Sequence, residues 1–212
     1  MKKCLIVGAG GAGREALAWA LAIHQNEWRI EGFLDANPRS LEGKNTGFPI
    51  VGNPSDWVPS NDEVFVSGLG DPATRLRLCG DLARRGANFV SIIHPSVTVA
   101  METTIGAGCV IAPHAVVSVN IRIEPFVLIN IAASLGHDSV VSEGVTISSH
   151  CDVMGYAQVG RGAFLGSHAC ILPGVKVGEF AVVGAGSSVV RNVAARTTVM
   201  GVPAQLLFKH RA

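Results

Sequence analysis

The sequence of 212 residues has little charge of either sign. Only 16% of its residues are Asp, Glu, Lys or Arg, and its formal net charge is +1 at pH 7. A protein that binds nucleic acid through its electrostatic field carries a clear basic excess, so this balance argues against that class. The hydrophobic content of 48% is instead typical of a globular protein with a buried core.

Signals for membrane insertion, secretion and disulfide bonding are weak as well. The uncharged run Thr103–Ile121 has the length of a membrane span, but glycines, a proline and a histidine interrupt it. The apolar run in Lys2–Val7 is too short for a signal peptide and leads straight into glycines. The five cysteines show no paired spacing, which fits free thiols in a reducing compartment. We therefore expect a cytoplasmic protein with no membrane insertion.

A six-residue repeat fills more than half of the sequence. Every sixth residue from Ile93 to Val189 is Ile, Leu or Val, without a slip in register. A second row, two residues earlier, is mostly small. Such a repeat predicts a parallel β-helix, in which three short strands form one triangular coil of about 18 residues. Gly often follows the aliphatic residue, as at Gly136, and we attribute this to a turn of unusual φ. A β-sandwich is the alternative, but its strands alternate with period two.

The first 90 residues predict an α/β domain. A buried strand, Lys2–Val7, leads into the glycine loop Gly8–Gly13, and a helical pattern covers Arg14–Ile23. A second strand, Arg29–Leu34, ends at Asp35. This order matches the dinucleotide-binding fingerprint, in which glycines admit the ligand, a helix N-terminus attracts phosphate and the acidic residue meets a ribose.

Two strands and a helix continue this domain, namely Val64–Gly70 as a strand that ends in a loop, helix Pro72–Arg85 and strand Asn88–Ile93, while Leu41–Pro54 is a turn-rich connector. About 90 residues suffice for half of a Rossmann fold. We therefore expect a domain at residues 1–90 that binds a single nucleotide, and a β-helix with a C-terminal cap at residues 91–212. A nicotinamide-dependent oxidoreductase and a purely structural glycine turn are the alternatives.

His137 is the histidine best placed for catalysis. It follows Gly136 in a predicted turn, belongs to neither core row and precedes Asp138. An exposed histidine is a natural general base near neutral pH, and an adjacent carboxylate strengthens it. On spacing alone, a surface histidine on a loop is the alternative.

Three further histidines, His114, His150 and His168, share one phase of the 18-residue coil. They should lie along one edge of the prism, with His150 and His168 roughly 5 Å apart, one coil step. Aligned imidazoles can bind a metal, but no carboxylate or cysteine shares their phase. We expect a surface or subunit-contact ladder and no metal requirement.

Several motifs together resemble the hexapeptide-repeat acyltransferases: the repeat itself, Gly136-His137-Asp138, Leu172-Pro173-Gly174 and Gly201-Val202-Pro203-Ala204. The glycine loop and Gly32-Phe33-Leu34-Asp35 narrow the resemblance to bacterial sugar acetyltransferases that join a Rossmann-like domain to a left-handed β-helix. Their members include UDP-4-amino-sugar N-acetyltransferases, GDP-perosamine N-acetyltransferase and sialic acid O-acetyltransferases. The resemblance covers essentially the whole chain.

This resemblance implies an acetyl-CoA-dependent N-acetyltransferase that acts on the amino group of a UDP- or GDP-linked 4-amino-4,6-dideoxy sugar, by direct transfer without an acyl-enzyme. It also implies a homotrimer with acetyl-CoA between adjacent prisms. An O-acetyltransferase acting on a sugar hydroxyl, as in sialic acid, is one alternative. A non-catalytic nucleotide-binding scaffold that trimerises through its β-helix is another.

The resemblance assigns roles to individual residues as well. The family's general base falls on His137 and its acidic partner on Asp138. A second family histidine falls on Thr146, whose hydroxyl could donate a hydrogen bond to the thioester carbonyl. The other acetyl-CoA contacts fall on Gly155, Ser167 and Ala185. The substrate contacts fall on Gly10, Gly11, Ala12, Asp35, Ala36, Gly70 and Asn130. Arg191, Arg196, Lys209 and Arg211 could meet the CoA phosphates, with solvated surface as the alternative.

Overall fold

Two architectures follow one another in the computed structural model, which describes residues 1–23 and 26–210. The first is a parallel four-stranded sheet of order β3-β2-β1-β4 with two helices. Its elements are β1 (Lys2–Val7), α1 (Gly11–Leu21), β2 (Trp28–Leu34), β3 (Ile50–Gly52), β4 (Glu63–Ser67) and α2 (Pro72–Arg84). The second is the left-handed parallel β-helix expected from the six-residue repeat, so the predicted fold class is confirmed.

The N-terminal domain differs from its prediction in three places. Helix α1 begins at Gly11, inside the glycine loop, rather than at Arg14. Strand β3 lies within the segment predicted as a connector, where only Ile50 and Val51 carry a strand-like signal. The predicted strand before the repeat reduces to an isolated bridge between Phe89 and Phe65, followed by the first short strand of the β-helix.

The β-helix consists of two-residue strands separated by turns. In chain order they are β5 (Ile92–Ile93), β6 (Thr98–Val99), β7 (Thr104–Ile105), β8 (Val110–Ile111), β9 (Val116–Val117), β10 (Arg122–Ile123), β11 (Leu128–Ile129), β12 (Ser134–Leu135), β13 (Val140–Val141), β14 (Thr146–Ile147), β15 (Asp152–Val153), β16 (Gln158–Val159), β17 (Phe164–Leu165), β18 (Cys170–Ile171), β19 (Lys176–Val177), β20 (Val182–Val183) and β21 (Ser188–Val189). The longer strands β22 (Thr197–Gly201) and β23 (Ala204–Lys209) form a terminal hairpin.

These strands form three faces of a triangular prism. Face 1 contains β5, β8, β11, β14, β17, β20, β22 and β23; face 2 contains β6, β9, β12, β15, β18 and β21; face 3 contains β7, β10, β13, β16 and β19. Partners on a face are 18 residues apart, so Leu135 pairs with Val117 and Val153. The β22–β23 hairpin extends face 1 at the C-terminal end of the prism.

The aliphatic row fills the prism, as predicted. Each of its residues is the second residue of a short strand, and those from Ile111 to Val189 are at most 2% exposed. The first coil is the exception, because no described strand pairs with it from below, and Val99 is 40% exposed. The small row packs beside the aliphatic row, with Ala133 and Ala157 fully buried. Burial on this scale stabilises each coil mainly through the hydrophobic effect.

The reason given above for the repeated glycines is wrong. Gly136 has no left-handed φ; instead, a Cβ there would lie 2.5 Å from the backbone N of Gly155 on the next coil. The left-handed residue comes two positions later and is often not glycine, as at Asp138 (φ 59°) and Tyr156 (φ 60°). Glycine therefore follows the aliphatic residue because adjacent coils approach too closely there for a side chain.

The N-terminal domain packs on face 1 of the prism. Val110, Ala112 and Leu128 from this side of the prism are buried in one cluster with Ile6 and Trp19. Among residues 1–23 and 26–210, no helix combines the length and apolarity needed to cross a bilayer.

Candidate active site

The glycine loop lies at the carboxyl end of β1, where the sheet changes direction. The chain moves from β1 outward to β2 and β3, and then returns to place β4 on the other side of β1. Ligands of open α/β sheets bind at such a switch point. Ala12, after β1, and Gly70, after β4, face one another there, since a Cβ on Gly70 would lie 3.7 Å from that of Ala12. The predicted substrate contacts in these two loops therefore do come together.

The glycines of the loop have different structural roles. Gly10 and Gly11 are exposed, with open space above their Cα atoms. Gly13 is buried, and a Cβ there would lie 1.9 Å from the carbonyl oxygen of Gly8. Gly13 thus lets α1 begin directly against the loop. The first turn of α1 contains no acidic residue, so its N–H groups can attract an anion.

Asp35 connects this loop to the next. Its Oδ2 accepts a hydrogen bond from the Ala9 N–H at 2.8 Å, and its Oδ1 accepts from the Asn37 N–H at 2.9 Å and the Ser40 hydroxyl at 3.1 Å. Ala36, beside it, is exposed. Both carboxylate oxygens have partners within the chain, so Asp35 holds the loop after β1 and the loop after β2 together and thereby shapes the crevice.

His137 and Asp138 form a hydrogen-bonded pair at a turn between faces 2 and 3. The His137 Nδ1 lies 2.8 Å from the Asp138 Oδ2, and the His137 side chain is 52% exposed. The carboxylate selects the tautomer with hydrogen on Nδ1, which leaves the Nε2 lone pair free to accept a proton. The ring of Tyr156 meets the imidazole edge to face, with centroids 5.1 Å apart.

Gly155 lies directly against the Nε2 edge of this imidazole. A Cβ on Gly155 would lie 2.6 Å from the His137 Nε2 and 2.7 Å from its Cε1. Within the described ranges, the Gly155 N–H donates to no acceptor of the chain. A free Nε2 and a free N–H are thus neighbours, and together they can accept a proton and stabilise a nearby oxyanion.

The remaining predicted contacts lie on other parts of the prism. We call the edge between faces 2 and 3 the His137 vertex and the edge between faces 1 and 2 the Ser167 vertex. The Ser167 vertex carries Asn130, Ser167 and Ala185, and the Ser167 carbonyl accepts from the Gly186 N–H at 2.9 Å. The His137 vertex is opposite face 1, which carries the N-terminal domain. A single chain therefore does not bring the base, the Ser167 vertex and the glycine loop together.

The oxyanion role considered for Thr146 is wrong in this chain. Thr146 lies on face 1 under the N-terminal domain and is 3% exposed. Its hydroxyl accepts a hydrogen bond from the Arg75 Nη2 at 2.8 Å and donates to the Gly70 carbonyl at 2.8 Å. A threonine hydroxyl has one hydrogen to donate, so none is left for a thioester carbonyl.

Arg75 is the buried group that the sequence analysis missed. It is 1% exposed and hydrogen-bonds to both domains. A signal was present, because Arg75 falls on the apolar stripe of α2 together with Leu76, Cys79 and Leu82. A charged residue inside such a stripe indicates a buried polar contact.

The predicted histidine ladder has the expected geometry. The rings of His150 and His168 stack with centroids 4.9 Å apart and planes 8° apart, and they belong to the Ser167 vertex. Among the described residues, no group of three or more His, Cys, Asp or Glu side chains is arranged to hold a metal ion. Of the cations proposed for CoA, Arg196 stacks on Phe180 at 5.1 Å, whereas Arg211 lies outside the described residues.

Both the N-terminal and the C-terminal part of the chain match known protein families. Residues 3–82 match the PglD N-terminal domain, and residues 156–191 match the hexapeptide repeat of succinyl-transferase. GDP-perosamine N-acetyltransferase of Escherichia coli O157:H7 is 30% identical over 156 residues, which cover 73% of this chain and 71% of that protein. UDP-N-acetylbacillosamine N-acetyltransferase of Bacillus subtilis (strain 168) is 32% identical over 52% of this chain and 51% of its own length.

A solved structure extends the similarity over nearly the whole fold. The acetyltransferase domain of PglB from Neisseria gonorrhoeae FA1090, in complex with acetyl coenzyme A, superposes with a TM-score of 0.87 at 29% identity, covering 97% of this chain and 99% of that one. Together with the GDP-perosamine N-acetyltransferase match, this shows that the chain belongs to the family of hexapeptide-repeat sugar acetyltransferases with a Rossmann-like N-terminal domain.

Proposed function

We propose that this enzyme transfers the acetyl group of acetyl-CoA to the amino group of a nucleotide-linked amino sugar. The observation that carries the proposal is the His137–Asp138 pair, whose free Nε2 lies against Gly155, a residue whose N–H donates to no acceptor among the described residues. The relatives support the substrate class, because one is named for a GDP-linked and another for a UDP-linked amino sugar. The acetyl-CoA complex of a third protein supports the donor.

The mechanism follows from the two free groups at the His137 vertex. The sugar amine attacks the thioester carbonyl carbon, forming a C–N bond, and His137 Nε2 takes a proton from that nitrogen. The Gly155 N–H stabilises the tetrahedral oxyanion. Collapse breaks the C–S bond, and the departing thiolate recovers the proton from His137. Asp138 holds the imidazole in the required tautomer and stabilises its charged form.

The proposed active site lies between chains of a homotrimer. In one chain the prism separates His137 from the glycine loop, since the His137 vertex and the N-terminal domain are on opposite sides. A second copy can bring its His137 vertex beside the nucleotide crevice of the first, with Ser167 and Ala185 at the same boundary. This arrangement makes the site incomplete in a monomer.

The test is thiol release from acetyl-CoA with a panel of UDP- and GDP-linked amino sugars, with sialic acid included. Release with one amino sugar, reduced about 10²–10⁴-fold in His137→Ala at unchanged CoA affinity, is expected if a positioned base is lost. Release with sialic acid alone would indicate O-acetylation. A His137→Ala rate within threefold of wild type would remove His137 from the role of base.

A further inference from the structure

The feature that the proposed mechanism does not use is the buried guanidinium of Arg75. All three of its nitrogens donate hydrogen bonds. The Nε donates to the Phe126 carbonyl at 2.8 Å. The Nη1 donates to the carbonyls of Leu69 and Gly70 at 2.5 and 3.2 Å. The Nη2 donates to Thr146 and, at 2.8 and 3.0 Å, to the carbonyls of Gly144 and Val145.

These six acceptors are neutral, being five backbone carbonyls and one hydroxyl. Burial lowers the pKa of Arg75 to about 10, so the group is still protonated at neutral pH. A buried charge costs free energy unless hydrogen bonds satisfy it fully. Six acceptors satisfy it here, and removing the guanidinium would leave several buried carbonyls without a donor.

The acceptors belong to two structural units. Leu69 and Gly70 form the loop after β4, which is one wall of the nucleotide crevice. Phe126 and Gly144 to Thr146 belong to the prism, where face 1 begins. The Thr146 hydroxyl closes the connection by donating to Gly70 at 2.8 Å. Next to Arg75, Leu76 packs so closely on Gly144 that a Cβ there would lie 2.4 Å from the Leu76 Cγ.

We propose that Arg75, with Thr146, is a positioning residue that fixes the Leu69–Gly70 wall of the nucleotide crevice to the prism and thereby sets where the acceptor sugar is presented. This inference rests on the proposed function, because it concerns the acceptor of that reaction. Arg75 lies under the crevice and touches no reacting group. Loss of Arg75 should therefore weaken the productive binding of the acceptor sugar. It should leave the binding of acetyl-CoA, which we propose at the prism vertices, unchanged.

Kinetics of Arg75→Met, Arg75→Lys, Thr146→Val and Thr146→Ser test the inference, with Arg77→Met as the matched control on the exposed side of α2. A misplacement of about 1 Å can cost about 10²-fold in rate. We expect Arg75→Met to lose about that much in kcat/KM for the nucleotide sugar while its KM for acetyl-CoA stays within twofold. Thr146→Ser should retain more activity than Thr146→Val, because it keeps the hydroxyl. Rates are expressed per folded enzyme, so a loss of stability alone does not lower the apparent kcat. The two KM values do not depend on the amount of folded enzyme.

Hydrogen–deuterium exchange of the unliganded variants supplies a measurement that needs no acceptor sugar. Faster exchange of a peptide covering residues 67–73, with unchanged exchange in β15–β18, which lie beyond the Arg75 partners of β14, supports the positioning role even if wild type acetylates none of the sugars in the panel. Unchanged exchange at residues 67–73 in both Arg75→Met and Thr146→Val would overturn it. An equal rise of both KM values in Arg75→Met would do the same. If Arg75→Met does not fold, Arg75→Lys and the Thr146 pair decide.

Discussion

Replacing Gly155 with alanine tests the proposed active site, and the geometry sets how far the His137 imidazole must move. The added methyl carbon would lie 2.6 Å from the His137 Nε2 and 2.7 Å from its Cε1. Ordinary carbon contacts are near 3.5 Å, so the imidazole must move by about 1 Å. The ring can do so, because its side chain is half exposed and is held by one hydrogen bond to Asp138 and an edge-to-face contact with the ring of Tyr156.

A displacement of that size in a general base should lower kcat by about 10²-fold, which corresponds to about 2.7 kcal/mol of transition-state stabilisation. The fold should be unaffected. Gly155 has no left-handed φ, so alanine fits its backbone and reduces the entropy of the unfolded chain. We expect an unchanged or slightly raised melting temperature, with acetyl-CoA affinity measured by calorimetry to show whether the donor still binds.

Two controls separate this explanation from a general disturbance. Gly80→Ala places a methyl group on α2 with 3.7 Å of clearance to the Arg84 Nη1, and it should leave activity unchanged. The double variant His137→Ala, Gly155→Ala should be no slower than His137→Ala alone, because both changes act through the same imidazole. Full activity of Gly155→Ala in a folded enzyme would show that the His137 Nε2 is not the reacting atom.

Four further predictions can be checked with standard assays. Asp138→Asn should lower kcat by about 10²–10⁴-fold without changing the KM for acetyl-CoA, because the amide favours the wrong imidazole tautomer; steady-state kinetics would contradict this if KM alone changed. Mixing inactive His137→Ala with inactive Asp35→Ala subunits, after denaturation and refolding, should restore part of the activity if each site combines two chains, whereas no recovery in mixed oligomers would place each site in one chain. Burial raises the pKa of Cys79, Cys109 and Cys151 to about 11, and an unfolded thiol titrates near 8.5; the unfolded chain therefore loses these protons first, so denaturation should show stability that is complete below about pH 8.5 and declines towards pH 11. The Ser139 hydroxyl is fully buried and has no hydrogen-bond partner among the described residues, so Ser139→Ala should raise the free energy of unfolding by about 1 kcal/mol, and a loss of stability would indicate a hidden partner.

The interior of this protein could be predicted from its sequence because a β-helix repeats one local environment. Each aliphatic residue from Ile111 to Ile171 meets an equivalent aliphatic residue one coil above and one coil below, so a period of six carries enough information to place it. The glycine loop was predictable for a related reason. The close approach of Gly13 to Gly8 depends on contacts within a short stretch of chain, which local sequence determines, although α1 begins at Gly11 rather than at the predicted Arg14.

Contacts between the two domains could not be predicted in the same way. Arg75 and Thr146 are 71 residues apart, and no periodicity links a residue of α2 with a residue of β14. Thr146 occupies an outward position of its strand, so the sequence alone does not indicate which group its hydroxyl contacts. Its partners are determined by the N-terminal domain, which packs on face 1. The domain's position also decides that His137 is on the far side of the prism, a fact that no spacing in the sequence contains.

The His137–Asp138 pair depends on the conformation of the turn in which the two residues lie. Consecutive side chains of an extended strand point to opposite sides, so neighbours in sequence rarely form such a pair there. Asp138, however, has a left-handed backbone with φ 59°, a conformation that aspartate tolerates better than most residues. The turn redirects the carboxylate towards the preceding imidazole, to 2.8 Å from Nδ1, and leaves Nε2 facing outward. The same turn position carries Asn120 one coil below, and its amide lies 3.4 Å from the other Asp138 oxygen. The His137 vertex is thus built by stacking one turn conformation along the prism, and only the residue placed in that turn differs from coil to coil.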